Sequence, residues 1–328
     1  MDGGGAYRCR ANRHLEGGQS ALPGSLLFAA GLLGNVLALG ILWQHQLRAR
    51  LQRAGGWGRP RASAFYLLVS ALAATDLLGK CLLSPIVLAA YARNRSLSEL
   101  WPPPATGGGV CLYFAFAMSF FSLATMGCLG AMALERSLAI GAPYLYERLL
   151  SARPVAPLLL AALPALYALA AAFCSLPLLG FGRYVQYCPG TWCFIQMHFP
   201  RAGGAAELSS GGAFSLLYAS LLLLLILAVL LCNLSVIVNL LRMQRRGQAT
   251  RRATAAAELD HLILLAIITI TFAVCSLPFT VSGKGGCDWD SVSDCGGQFW
   301  IHTSFHSGDI GFQAGDDHGV DLPSVPSS

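Results

Sequence analysis

The sequence predicts an all-α membrane protein built as a single bundle of transmembrane helices. Of its 328 residues, 55% are apolar and only 12% are charged, about half the charged share of roughly 25% that soluble domains carry. The apolar residues form long runs, and the arginines cluster in the short segments between those runs. Length, composition and this separation of charge together indicate six or seven helices that cross a lipid bilayer.

Six apolar runs are long enough to cross a hydrocarbon core of about 30 Å. In chain order they cover about 21–43, 63–91, 111–136, 155–179, 212–241 and 259–281. The domain organisation that follows has an extracellular N-terminus over 1–20, a transmembrane bundle over 21–281 and a C-terminal tail over 282–328. The tail is rich in Gly, Asp, Ser and Pro and contains no spanning run, so it is predicted to be disordered.

The third span is predicted to be the central helix of the bundle. No charge interrupts it before Glu135, and a cysteine, Cys111, stands at its other end. Small residues occur on most of its sides, which lets neighbouring helices approach closely. These residues are Ala115, Ala117, Ser119, Ser122, Ala124, Gly127, Gly130 and Ala131.

Loop charge predicts the orientation of the chain in the membrane. The segments after the first, third and fifth spans are strongly basic, and the first of them, 44–62, carries five arginines and no acid. Because basic loops stay in the cytosol, the N-terminus is expected outside the cell. The net charge of +6 is explained by this loop pattern, so membrane lipid rather than nucleic acid is the expected surrounding partner.

Four of the eleven cysteines lie at span ends or in segments predicted to face outside, where disulfides form. Cys111 and Cys193 are a candidate pair that would hold the long outer loop over the mouth of the bundle. Cys9 and Cys188 leave an even number of outer cysteines, but the sequence alone leaves their pairing open. Asn94, in an Asn-Arg-Ser sequence on an outer loop, is a candidate glycosylation acceptor.

Asp76 lies well inside the second span, where a carboxylate is costly and usually faces a partner or a cavity. Lys80, one turn later, is the simplest partner as an i,i+4 ion pair, and a sodium ion or a proton is the alternative. Pro278 is expected to kink the sixth span, either as a tolerated kink or as a hinge that opens the inner face.

Glu135 and Arg136 stand together at the inner end of the third span. One interpretation is a salt bridge that reaches the membrane interface, as at the end of many spans. The functional interpretation is a cationic group that changes its partner when the helices move.

The sequence contains no metal-ligand cluster, phosphate-binding glycine loop or nucleophile elbow, so an enzyme is the least favoured class and no cofactor is expected. A transporter or channel would show interrupted spans repeated in two halves and several intramembrane charges. The sequence shows no such repeat and few intramembrane charges beyond Asp76 and Lys80.

Asp76, a cysteine-tethered third span ending in Glu-Arg, and Pro278 make the chain resemble the rhodopsin-like G-protein-coupled receptors. Within them, Gln-Tyr-Cys-Pro-Gly-Thr-Trp-Cys-Phe at 186–194 resembles the signature of the prostanoid receptors. Segments 112–126, 131–136 and 261–280 look most like the subtype 2 receptors for prostaglandin E, whereas 7–9 and 76–85 look closer to the prostaglandin D receptors. The resemblance implies a rhodopsin-like transmembrane helix bundle.

The resemblance also implies a role for particular residues. Thr191 and Tyr91 would help to hold the carboxylate of a prostaglandin beneath the outer loop, and Ser25 is a further pocket candidate. Glu135 and Arg136 would serve G-protein coupling, with Arg136 engaging the α-subunit of the stimulatory G protein, which raises cyclic AMP. The implied disulfides are Cys111–Cys193 and Cys9–Cys188.

The chain departs from the family in two respects. Ser137 replaces the tyrosine usual after Glu-Arg in the subtype 2 receptors, and the resemblance stops after Thr280, so that the seventh span is absent. That span would carry the arginine that pairs with the ligand carboxylate, and we therefore expect this chain as written to bind prostaglandin poorly. An incomplete gene model is the favoured explanation, and a truncated, non-signalling isoform is the alternative. A preference for prostaglandin E or D stays open, because the divergent positions point both ways.

Overall fold

The computed structural model describes residues 13–15, 20–54, 64–100, 108–142, 144, 146, 155–187, 189–197 and 205–245. Several predicted features lie outside these described residues. They are the sixth span over 259–281 with Pro278, the tail over 282–328, and the cysteines Cys9 and Cys188.

The described residues form five helices that are long and apolar enough to cross a membrane. This finding confirms the first five predicted spans. In chain order the helices are α1 (Leu22–Ala54), α2 (Ala64–Arg93), α3 (Gly109–Gly141), α4 (Val155–Ser175) and α5 (Ala205–Arg245).

Four helices, α1, α2, α3 and α5, extend beyond the predicted spans, and α1 and α5 do so the most. Helix α1 continues past Trp43 to Ala54, and α5 already begins at Ala205, inside the predicted outer loop. The segment that follows Trp43 contains no Gly or Pro before the glycine pair after Ala54, so no residue in it interrupts the helix. Part of the predicted first basic loop is therefore helical.

Helix α3 lies at the centre of the bundle, as predicted, and contacts α2, α4, α5 and the outer loop. Its small residues are buried against these neighbours; Ala115, Ala124 and Ala133 have no exposed surface. At Gly127 a Cβ atom would lie 2.7 Å from Cδ1 of Leu166 on α4. Small side chains on α3 therefore allow the close helix packing that membrane bundles require.

A two-stranded antiparallel hairpin covers the N-terminal end of α3, which is called the outer end because the sequence predicts that it faces outside. Strand β1 (Tyr184–Tyr187) pairs with β2 (Trp192–Ile195), with Gln186 opposite Cys193. The turn between the strands places Gly190 at φ +103°, a conformation that glycine adopts without strain. The sequence predicts only a long loop in this region, and the hairpin corrects that prediction.

A disulfide between Cys111 and Cys193 joins the first turn of α3 to β2, with the two Cα atoms 5.4 Å apart. Both cysteines are buried. The pairing that the resemblance implies for these two residues is confirmed, and it fixes the hairpin over the bundle.

The N-terminal residues 13–15 lie against the first outer loop. The amide of Ser96 donates to the carbonyl of Arg13 at 3.0 Å, and Nδ1 of His14 donates to the carbonyl of Asn94 at 3.1 Å. An exposed ion pair joins Arg13 and Glu99 at 3.7 Å. These contacts place the N-terminal segment at the same end of the bundle as the hairpin and the disulfide.

Replacing Cys193 by serine should lower the free energy of unfolding by about 3 to 5 kcal/mol, because the disulfide closes a loop across a sequence separation of 82 residues. Thermal unfolding of the purified protein in detergent measures the loss. Cys81→Ser is the matched control, since the Cys81 thiol is free and exposed. Equal unfolding temperatures for both variants would contradict the expected role of the disulfide.

Candidate functional sites at the ends of the third helix

The outer candidate site combines the last turn of α2 with the turn of the hairpin. Tyr91 of α2 and Thr191 of the turn lie close enough for their hydroxyls to interact. Thr191 is buried, whereas Tyr91 is partly exposed. The structure therefore brings together two of the three residues that the resemblance assigns to the ligand carboxylate.

The third predicted pocket residue, Ser25, lies near the start of α1. Its hydroxyl donates to the carbonyl of Leu22 in the same helix at 2.9 Å. This hydroxyl hydrogen is therefore used within α1 rather than shared with Tyr91 or Thr191.

The turn of the hairpin is held by the first outer loop. The amide of Leu97 donates to the carbonyl of Gly190 at 2.9 Å, and the amide of Ser98 donates to Oε1 of Gln186 at 3.1 Å. Ser96 has no exposed surface and packs against Gly190. These contacts hold the turn of the hairpin that carries Thr191.

Aromatic side chains connect the hairpin to the helices beneath it. The rings of Tyr187 and Trp192 stack with centroids 4.5 Å apart, and Phe194 meets Tyr218 of α5 edge to face at 5.7 Å. The hydroxyl of Tyr184 donates to the carbonyl of Cys174 in α4 at 2.6 Å. Burial raises the pKa of Tyr184, so its phenol stays protonated and keeps this hydrogen bond.

Asn94, the predicted glycosylation acceptor, is exposed at the end of α2 and adopts φ +48°. An asparagine tolerates this left-handed conformation better than most residues do. The side chain is thus accessible in the folded protein, although no glycan tests the prediction.

The middle of the bundle contains the predicted intramembrane carboxylate. The hydroxyl of Thr125 on α3 donates to Oδ1 of Asp76 at 3.1 Å, and Lys80 attracts the same carboxylate electrostatically. Lys80 is only 5% exposed. The structure therefore places Lys80 where it stabilises the charge of Asp76, and a sodium ion at Asp76 remains a prediction.

A second polar cluster connects three helices near Asp76. The hydroxyl of Tyr167 on α4 lies 2.7 Å from the hydroxyl of Thr75 on α2 and 3.5 Å from the sulfur of Cys128 on α3. The sequence analysis missed this cluster, because each of its residues is an ordinary member of an apolar span.

At the C-terminal end of α3, called the inner end because the sequence predicts that it faces the cytosol, Glu135 and Arg136 form the predicted salt bridge. Nε and Nη2 of the guanidinium both face the carboxylate. The Tyr146 hydroxyl also donates to Glu135, at 3.0 Å. Cζ of Arg136 lies 4.6 Å from the ring centroid of Phe65 on α2. Sequence reasoning missed Tyr146 and Phe65, since no local pattern indicates these distant contacts.

This arrangement is that of a receptor bundle: a disulfide-tethered cap at one end of the central helix and a buried ion pair at the other. The profile of the family "7 transmembrane receptor (rhodopsin family)" matches residues 58–284. The chain belongs to this family. It is therefore a multi-pass membrane receptor and not an enzyme, as expected.

The solved structure of squid rhodopsin shares the receptor fold. It superposes with a TM-score of 0.63 at 14% identity, covering 88% of this chain and 79% of that one. At this identity the likeness concerns the fold alone, and it confirms the predicted rhodopsin-like architecture.

Several prostaglandin receptors are much more similar to this chain in sequence. The dog "Prostaglandin E2 receptor EP2 subtype" is 51% identical over 296 residues, covering 84% of this chain and 76% of the relative. The human receptor of the same name is 50% identical, covering 83% and 75%. The bovine "Prostaglandin D2 receptor" is 47% identical, covering 83% and 76%. These identities confirm the resemblance to the prostanoid receptors.

Replacing Tyr167 by phenylalanine should lower the free energy of unfolding by about 1 kcal/mol, because one hydrogen bond between α4 and its neighbours is lost. Thermal unfolding of the purified receptor measures the effect. Tyr113→Phe is the control, since Tyr113 is 44% exposed on α3. A larger loss in the control would contradict the assignment of a stabilising role to the Tyr167 cluster.

Proposed function

We propose that the chain is a prostaglandin receptor of the plasma membrane that couples to the stimulatory G protein and raises cyclic AMP. The observation that carries the proposal is the proximity of Tyr91 to Thr191 in the turn of the disulfide-tethered hairpin. The sequence identity of about one half to named prostaglandin E2 receptors supports it.

The outer pair of hydroxyls suits the acidic group of a prostaglandin. The hydroxyls of Tyr91 and Thr191 lie near each other, and a carboxylate between them would accept a hydrogen bond from each. Hydrogen bonds to a charged acceptor are roughly twice as strong as those between neutral groups. The hydroxyls therefore favour a carboxylate, and the hairpin above them would keep water away from it. Ser25 would contribute from α1.

The orientation supports signalling in one direction. With the N-terminus outside, the hairpin, the Cys111–Cys193 disulfide and Asn94 face the oxidising exterior. The Glu135–Arg136 pair then faces the cytosol, where a G protein is available.

Activation is a shift between two populations of the bundle. In the described state Glu135 occupies both Nε and Nη2 of Arg136, so the guanidinium is closed to a partner. A prostaglandin that binds more tightly to the open bundle would favour the state in which Arg136 leaves Glu135 and engages the α-subunit. Asp76, and Pro278 in the sixth span, are the proposed intramembrane switch positions.

Prostaglandin D is the second candidate ligand. The D2 receptors are also close relatives, with 47% identity for the bovine and human proteins. The segment 76–85, which contains Lys80, looks closer to those receptors.

Radioligand binding to membranes that contain the chain tests the proposal with both prostaglandins. Weak but saturable binding is expected, and Tyr91→Phe or Thr191→Val should weaken it further, about tenfold to a hundredfold, because each removes a donor to a charged group. Tyr144→Phe is the control, since Tyr144 is 78% exposed at the inner end.

Binding must also be linked to the G protein. The cyclic AMP level in the same cells should rise when the ligand that binds is added. Arg136→Ala should abolish this rise without abolishing binding. Absence of saturable binding by either prostaglandin at every concentration would contradict the proposed ligand class. Binding without a cyclic AMP response would contradict the proposed coupling alone.

A further inference from the structure

Two groups contact the Arg136 guanidinium at the inner end of the bundle. Glu135 accepts from it twice, since Nη2 donates to Oε1 at 2.9 Å and Nε donates to Oε2. The ring of Phe65 lies against the same guanidinium, with Cζ over the ring and 4.6 Å from its centroid. The contact with Phe65 involves a different residue and a different element, so it is an interaction separate from the ion pair.

The environment makes the ring contact effective. A cation over an aromatic face is attracted by the ring quadrupole, and the attraction grows when water is excluded. The side chains of Arg136 and Glu135 are only 12% and 9% exposed. Phe65 itself is partly buried against the core of the bundle. Water therefore screens this contact little.

Phe65 and Tyr146 act on opposite members of the ion pair. Phe65 belongs to the first turn of α2 and covers the cation. Tyr146 lies beyond the end of α3 and donates to the anion at 3.0 Å. The pair is thus held from two separate parts of the chain, and Arg136 must leave a ring as well as a carboxylate in order to reach a partner.

We propose that Phe65 is a positioning residue that holds Arg136 in its Glu135-paired rotamer through the face of the ring, and so sets how readily the inner end opens. The positioning stands on the contact geometry. Its consequence for coupling rests on the proposed function.

The competing explanation is that Phe65 only fills space. Leucine fills much of the same space without a π face, whereas tryptophan keeps and strengthens the π face but alters the packing. A positioning role and a packing role therefore predict different orders for these two substitutions.

Chemical modification of Arg136 by phenylglyoxal separates the two roles. The full chain in detergent is labelled, digested and analysed by mass spectrometry, with exposed Arg242 as an internal reference. Phe65→Leu should raise the labelling rate of Arg136 about fivefold, which corresponds to about 1 kcal/mol of cation–π attraction. Phe65→Trp should leave the rate unchanged or lower it, and Arg242 should not respond.

Equal labelling of Arg136 in wild type and Phe65→Leu, or faster labelling in both variants, would overturn the positioning role. Faster labelling of Arg242 in Phe65→Leu would indicate that this variant misfolds. Phe65→Trp is then compared with wild type instead. Faster labelling of Arg136 in Phe65→Trp would overturn the positioning role, and slower labelling would support it.

Basal nucleotide exchange on the purified stimulatory G protein is measured beside the labelling. The inference predicts faster exchange with Phe65→Leu than with Phe65→Trp. Glu135→Gln, which removes the charge that pairs with Arg136, is included as a further variant. If the labelling rates follow the expected order but no variant, including Glu135→Gln, stimulates nucleotide exchange, the positioning role is supported and the proposed coupling is contradicted.

Discussion

The covalent bond between Cys111 and Cys193 is the constraint on which the outer half of the receptor depends. It ties the first turn of the central helix to the hairpin strand that immediately follows Thr191. Without this bond, the described contacts that hold the hairpin would be hydrogen bonds to the first outer loop and to α4, together with aromatic packing. The bond therefore fixes the hairpin over the end of the bundle, and it places the Thr191 hydroxyl beside Tyr91.

The same helix connects three levels of the bundle. At the outer end α3 carries the disulfide, in the middle Thr125 reaches Asp76, and at the inner end Glu135 holds Arg136. Small, buried residues along α3 let α4 and α5 pack closely. Since packed interiors deform little, a displacement of α3 at one level is transmitted to the others, which is what a transmembrane receptor requires.

The first five spans could be predicted because lipid requires every spanning helix to be long and apolar. The central position of α3 could be predicted because small residues lie on most of its sides. The hairpin could not, since the pairing of Gln186 with Cys193 depends on a turn at Gly190 that the first outer loop stabilises. The positions of Cys111 and Cys193 make them a candidate pair and the resemblance implies their bond, whereas Tyr91 and Thr191 are identified by the resemblance alone. Phe65 at Arg136 is a contact between distant segments, and periodicity carries no information about such contacts.

The central claim is that the two ends of α3 face opposite sides of the membrane, and that the end covered by the hairpin faces outside. An epitope tag fused before residue 1 tests it most directly, because residues 13–15 lie against the end covered by the hairpin. Antibody staining of intact cells should equal staining of permeabilised cells at the surface. Surface biotinylation first confirms that the protein reaches the plasma membrane. If such cells then stain only after permeabilisation, the hairpin end of α3 faces the cytosol and the account is contradicted.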